Sequence, residues 1–268
     1  MNSTLATFVS VSVIAGLGTL SGCAADTTRP ATADGEAVGT TAEALALQPL
    51  QVSFNDCNEL ASIATLPVAQ ARTLVPAQFA LGGNAAVAPF VVRVADCSAV
   101  SVDGSALEPG TVAQLGVGIV SPDGTGDINN YVAWYYTTSL RLALRLKLLG
   151  IPAEWSPRLA YDLAGGTLEI DVRLPSHPPF HVTAPVVEPG PTAVPFAANW
   201  WRLNGSRLTK MSTPIPAIRF GGATTTLTTP AGSALGQLFG SPTLTSFPFL
   251  DSFNRFPTAP MTVSVSGH

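Results

Sequence analysis

The sequence predicts a mostly β, α+β domain: many short antiparallel strands closed into a barrel or folded sheet, with one or two short helices. Three observations predict it. The chain carries 24 glycines and 23 prolines in 268 residues, well above the roughly 12% that average usage gives the pair, so turns are frequent and long helices are not. Leu168, Ile170, Val172 and Leu174 alternate with Glu169, Asp171 and Arg173, the two-residue period of a half-buried strand. Further short apolar runs recur along the chain, each bounded by turn residues, as in β barrels.

Composition narrows the function classes. Apolar residues make up 46% of the chain and charged residues only 11%, against roughly 25% charged in a typical domain. The net charge is −4, and the cations are scattered, Arg141, Arg145 and Lys147 being the closest grouping. That pattern excludes a polybasic nucleic-acid surface.

Residues 1–22 read as a signal segment. Leu5 to Leu20 is apolar with small residues mixed in, too short to span a bilayer comfortably. It ends in Leu20-Ser21-Gly22-Cys23, which looks like a bacterial lipobox. That motif places a lipid on Cys23 and makes the lipid the chain's membrane contact. Met1 to Thr4 lacks the usual Lys or Arg, so ordinary secretory cleavage nearby, for example after Ala25, stays open. Residues 23–50 read as a flexible tether, and 51–268 as a single domain, exported and either held at the cell envelope or released. With Cys23 lipidated, Cys57 and Cys97 remain as an even pair in an oxidising compartment, and a bridge between them is expected.

Within the domain, Cys57 to Thr65 reads as a first strand. Val68, Ala71, Leu74 and Val75 follow a helical period after Pro67 and before Pro76. Val87 to Ala95 is a second strand. Antiparallel pairing of these two strands brings both cysteines to one end. Thr111 to Val120 is a strand whose second face is Gln114, Gly116 and Gly118, stripped of bulk so that something packs closely there. Tyr131 to Tyr136 is an aromatic strand. Ser139 to Gly150 alternates leucines with polar residues like a strand, yet it is built of helix formers, with Ser139 to start it and Gly150-Ile151-Pro152 to stop it; a helix is expected. Later strands are expected near Phe180–Val187, Ala198–Leu203, Leu208–Met211, Ile218–Leu227 and Met261–Val265.

This order of pieces resembles the acetoacetate decarboxylase-like superfamily. The run Pro67 to Phe79, with Leu74-Val75-Pro76-Ala77-Gln78-Phe79 at its end, resembles that family's opening helix. The strand Tyr131–Tyr136, the helix ending at Pro152, the strand Leu168–Leu174, then Ala198 to Trp201, Gly205 to Leu208 and Thr229 to Ser233 follow in the family's sequence order. The resemblance covers roughly Asn58 to Phe247. It implies a cone-shaped β barrel around an internal cavity. In the decarboxylase a lysine pair after a proline forms an imine with the keto acid, one amine depressing the other's pKa. Here the matching stretch is Pro152-Ala153-Glu154, so the family's best-known chemistry is absent while its cavity is expected to remain.

Candidate site residues follow. Glu154, beside Trp155, is a candidate acid or base. Lys210 is the candidate amine if it points inward. Arg173 is suited to hold a carboxylate by two bonds. Tyr131, Trp134, Tyr136 and Trp201, with Arg202 beside them, are candidate ligand walls. Of Trp200 and Trp201, one faces the core and the other the surface or cavity, because neighbours on a strand point oppositely. No cofactor or metal is implied. The loop Asp123–Asn129 lacks a calcium loop's later ligands, and two prolines bar a zinc helix through His177 and His181. No Gly-x-Ser-x-Gly elbow is present. The expected function is binding a small apolar or carboxylate-bearing organic molecule inside the barrel, with a decarboxylase-like lyase or isomerase as the alternative.

Overall fold

The computed structural model describes residues 48–174 and 176–267. The expected signal segment, and the tether apart from its last residues, lie outside that range. The strands are β1 (Leu50–Pro67), β2 (Val87–Val102), β3 (Glu108–Gly118), β4 (Ile128–Thr137), β5 (Ala153–Trp155), β6 (Ala160–Ala164), β7 (Thr167–Val172), β8 (Phe180–Val187), β9 (Val194–Asn204), β10 (Arg207–Phe220), β11 (Gly222–Ala223), β12 (Thr226–Thr228), β13 (Thr243–Leu244) and β14 (Leu250–Gly267). The helices are α1 (Val68–Leu74), α2 (Leu140–Leu148) and α3 (Ala234–Phe239).

Seven strands close into a barrel in the order β3-β2-β1-β14-β10-β9-β4, with β4 returning to β3. Every pairing around the ring is antiparallel except β4 with β9. Closure removes the unpaired edges that an open sheet of such apolar strands would present. A second sheet, β13-β12-β8-β7-β6, carries the alternating Leu168–Val172 segment as its β7. Leu168, Ile170 and Val172 pack onto the outside of the barrel with Phe90, Val92, Leu115 and Tyr136. The barrel wall is therefore apolar on both faces, which explains the low charge content.

The inside of the barrel is a second core. Val52, Phe54, Val91, Tyr135, Trp200, Met211 and Phe256 meet there. Helix α2 stops one end with Leu142 and Leu146, both fully buried. Its alternating leucines do not make a strand, because Ser139 caps the first turn by accepting from the Leu142 amide at 3.3 Å. Gly150, at φ 83, then ends it in a backbone region that favours glycine.

The bridge forms as expected. Cys57 and Cys97 are joined and face each other in the β1–β2 register. They sit in mid-strand rather than at the strand ends, because β1 starts at Leu50 and β2 runs on to Val102. Among the described residues three helices form where one or two were expected; α3 is the addition, capped by Ser233. The single strand expected over Ile218–Leu227 is divided among the end of β10, β11 and β12.

The bare face of β3 has its occupants. A side chain at Gly116 would collide with the Tyr131 carbonyl and stand 2.8 Å from the Trp200 ring, and one at Gly118 would press on Pro89 at 3.1 Å. Gly116→Val is expected to cost about 3 kcal/mol, the upper range for overpacking a tight core. Gly190→Ala, with no atom in the way, is expected to leave the urea midpoint unchanged, and equal midpoints for the two variants would contradict this packing.

Candidate functional site

Inside the barrel, away from α2, the wall turns polar at one level. Arg93 on β2 and Glu59 on β1 are both buried. Arg93 donates from Nε to Glu59 Oε2 at 2.6 Å, and its second terminal nitrogen lies 2.6 Å from the same oxygen. Its Nη1 donates to Gln114 Oε1 on β3 at 2.5 Å. Asn254 on β14 donates to Glu59 Oε1 at 3.1 Å. Four strands thus contribute to one buried network, and the carboxylate neutralises the guanidinium.

Two polar atoms of this interior have no partner. Asn254 Oδ1 and the Tyr135 hydroxyl are buried and make no hydrogen bond within the protein. Burial pushes the Tyr135 phenol well above the ordinary tyrosine range, and nearby Arg93 offsets part of that rise. Tyr135 is therefore a neutral donor at any physiological pH. Leaving a buried acceptor unmatched costs about 1–3 kcal/mol, so a donor in the space beside Asn254 is favoured.

That space is a slot lined by Glu59, Arg93 and Asn254 at its floor and by apolar side chains from six barrel strands above. Its free volume is about 20 Å³, room for a single water. At its rim Phe196 and Phe220 meet edge to face, ring centres 5.8 Å apart, beside Ile63, Ile128 and Leu250. A larger guest enters only when this rim opens.

The residues singled out from the sequence lie elsewhere and do not converge. Glu154, on β5, is half-buried outside the barrel and pairs with Lys147 at 2.9 Å. Lys210 points outward. It donates to Asp123 Oδ2 at 2.6 Å and Thr125 Oγ1 at 2.7 Å, and its amine lies 5.0 Å from the Trp201 ring centre. At Asp123 partial burial raises the carboxyl pKa, but the bonds from Lys210 and Thr125 outweigh it and bring it to about 2. Arg173 is exposed on the second sheet and holds its neighbour Asp171 by two contacts, 3.0 and 2.6 Å.

The aromatic candidates pack on the outer face of the barrel wall; Tyr136 meets Phe180 of the second sheet, and Tyr131 meets Phe79 beyond α1. Tyr131, Tyr136 and Trp201 belong to the outer core, and Trp134 packs against it. Arg202 lies 5.2 Å over the Tyr131 ring. Trp201 Nε1 donates to Asn129 at 2.9 Å, and Tyr136 donates to the Pro178 carbonyl at 2.9 Å. The inward members of the same strands are Tyr135 and Trp200. The two tryptophans do point oppositely, with Trp200 inside.

Ala153, one of the two positions where the resemblance places the lysine pair, is fully buried in the inner core beside Tyr135. Lys147 and Lys210 are the chain's only lysines, and both have acidic partners outside the barrel. Among the described residues, no group of His, Cys, Asp and Glu is arranged to hold a metal ion.

No protein-family model matches the chain, and no curated protein does. Solved structures do. An acetoacetate decarboxylase superposes with a TM-score of 0.59 at 11% identity, covering 87% of this chain and 96% of its own. Acetoacetate decarboxylase from Legionella pneumophila gives 0.55 at 11% identity, over 81% of this chain and 86% of its own. An acetoacetate decarboxylase-like enzyme from Sphingomonas wittichii gives 0.50 at 13%, over 82% and 92%. The likeness is one of fold: this chain has the acetoacetate decarboxylase-like barrel.

Proposed function

We propose that this chain is an exported, envelope-tethered barrel that binds a small, largely apolar organic molecule in its internal slot, widened by opening of the Phe196–Phe220 rim, and forms no imine. The observation that carries the reading is the slot itself. Side chains from six barrel strands converge on it, its walls are apolar, and its floor presents an unpartnered acceptor at Asn254 Oδ1. Because Glu59 already neutralises Arg93, the floor favours a neutral guest with one hydrogen-bond donor over a carboxylate. The tether rests on the sequence alone, on the apolar run Leu5–Leu20 and the lipobox-like ending at Cys23.

The second reading is a lyase or isomerase of the decarboxylase-like type. The fold shared with two acetoacetate decarboxylases favours it. With Ala153 in the core and both lysines outside, any such chemistry runs on the interior carboxylate Glu59 rather than on an amine or on Glu154.

Calorimetric titration with small phenols and alcohols, set against carboxylates of equal size, tests the reading. The neutral compounds are expected to bind, and Asn254→Leu is expected to weaken them about tenfold, the worth of one hydrogen bond. Borohydride with a β-keto acid is expected to leave the chain's mass unchanged. Tighter binding of the carboxylates with no effect of Asn254→Leu contradicts the slot assignment, and a reduced covalent adduct contradicts the imine-free one.

A further inference from the structure

The end of the barrel stopped by α2 carries an apolar surface that no other part of the described chain covers. Leu140, Leu144 and Leu148 are 48%, 54% and 60% exposed. Spaced four apart, they form one stripe along the helix, opposite the buried Leu142 and Leu146. Leu107, in the β2–β3 turn, is 62% exposed, and a groove lined by Ser105, Ala106, Ser139 and Arg141 joins that turn to the start of α2. Trp155 is 44% exposed and donates to the carbonyl of Thr138, just before the helix. Five large apolar side chains on a helix and its flank are more than the scattered single apolar residues of an ordinary surface.

The chain enters the barrel at this same end. Gln51, at the start of β1, exchanges hydrogen bonds with Asp103, its carbonyl accepting from the Asp103 amide at 2.7 Å and its amide donating to Oδ1 at 3.1 Å. Asp103 Oδ2 in turn accepts from Arg145 of α2 at 2.7 Å. The described chain therefore begins next to the helix that carries the leucine stripe. Among the described residues, no helix is long and apolar enough to cross a membrane, so contact through α2 lies in the interfacial plane.

We infer that this end of the barrel docks on a lipid bilayer, with Leu107, Leu140, Leu144, Leu148 and Trp155 seated at the headgroup–acyl boundary. The inference rests on the tethered reading above and adds a second, direct contact to it. It fixes the barrel's orientation, with the phenylalanine rim at the opposite end turned to the aqueous side. The attraction is apolar. Arg145 and Lys147 already face Asp103 and Glu154, and Arg141 shares its groove with Glu108, so zwitterionic lipid suffices and anionic lipid adds little.

The test uses the full chain and phosphatidylcholine vesicles, with and without phosphatidylglycerol, and with bromine on the acyl chains as a contact quencher. Of the four tryptophans Trp155 is the exposed one; Trp200 and Trp201 are buried, and Trp134, three residues before the Thr137 that pairs with Trp155, packs half-buried against the outer core. The chain is expected to sediment with both vesicles and to lose part of its fluorescence to the brominated lipid. Trp155→Phe is expected to abolish that loss. Leu140→Asn, Leu144→Asn and Leu148→Asn together are expected to abolish it too while the chain still sediments. Sedimentation without quenching leaves the tether standing and overturns the docking. No sedimentation overturns both. A dimer in solution whose Trp155 is untouched by lipid assigns the stripe to a second copy and overturns the docking. If the triple variant melts without cooperativity, Leu107→Asn and Leu144→Asn singly carry the same test, each expected to reduce the quenching, and undiminished quenching in both overturns it.

Discussion

Arg93→Met is expected to lower the unfolding free energy by about 3–5 kcal/mol, the range for breaking a buried ion pair from one side. The variant leaves the buried Glu59 carboxyl without its guanidinium, with Asn254 as its remaining partner, and leaves Gln114 Oε1 without its donor. Replacing both members tests the cause. Arg93→Met with Glu59→Leu removes the two charges together and is expected to recover most of the loss, because the desolvation of the ions goes with them. Urea unfolding of the three proteins measures it. Should the double variant be as unstable as the single one, packing rather than charge explains the loss. A single variant as stable as the parent would mean that water reaches this pair.

Why this pair was not legible in the sequence has a local explanation. Leu50, Val52 and Phe54 face inward at even positions, and a strict two-residue period would put Glu59 on the opposite face. Cys57 nevertheless faces inward with them. The phase changes at Asp56, which adopts φ 49, a left-handed conformation that aspartate tolerates better than most residues. Neighbouring strands bend at the same level. β2 shifts register between Cys97 and Val100, and β14 passes from inward Phe256 to inward Ala259 across Pro257. A half-period shift shared by three adjacent strands is a tertiary feature, and no window of one strand contains it. One signal was present: Arg93 stands inside the run Phe90-Val91-Val92-Arg93-Val94, where a charge needs a partner in the core.

The parts that could be read were those set by local chemistry. The alternation of β7, the bare face of β3 and the capped helix α2 depend on residue types within a few positions of each other. The aromatic segment 131–136 shows the limit. Rings concentrated on one strand suggest ligand walls, but a strand in a double-layered wall buries both of its faces. Tyr136 meets Phe180 of the second sheet and Tyr131 meets Phe79 beyond α1, both outside the barrel, while Tyr135 alone of the tyrosines looks into it. Aromatic density reports burial; which side of the wall it serves depends on the outer sheet.

The second large effect belongs to the Cys57–Cys97 bridge. It spans 40 residues of chain, and closing a loop of that length is worth about 4 kcal/mol through the entropy of the unfolded chain. Reduction of the unaltered protein isolates the cross-link, since both thiols keep their buried positions. Cys57→Ala with Cys97→Ala adds the loss of packing in the inner core and is expected to be the less stable of the two. The denaturant slope is expected to rise in both, because an unfolded chain without the bridge exposes more surface. The bridge also ties β1 to β2 just below the polar level, between Asp56, where the phase changes, and Glu59, which that change turns inward. Reduction is therefore expected to weaken the Asn254-dependent binding of neutral guests. A reduced protein with an unmoved midpoint and undiminished binding would show that the strand pairings hold the bend in place without the covalent link.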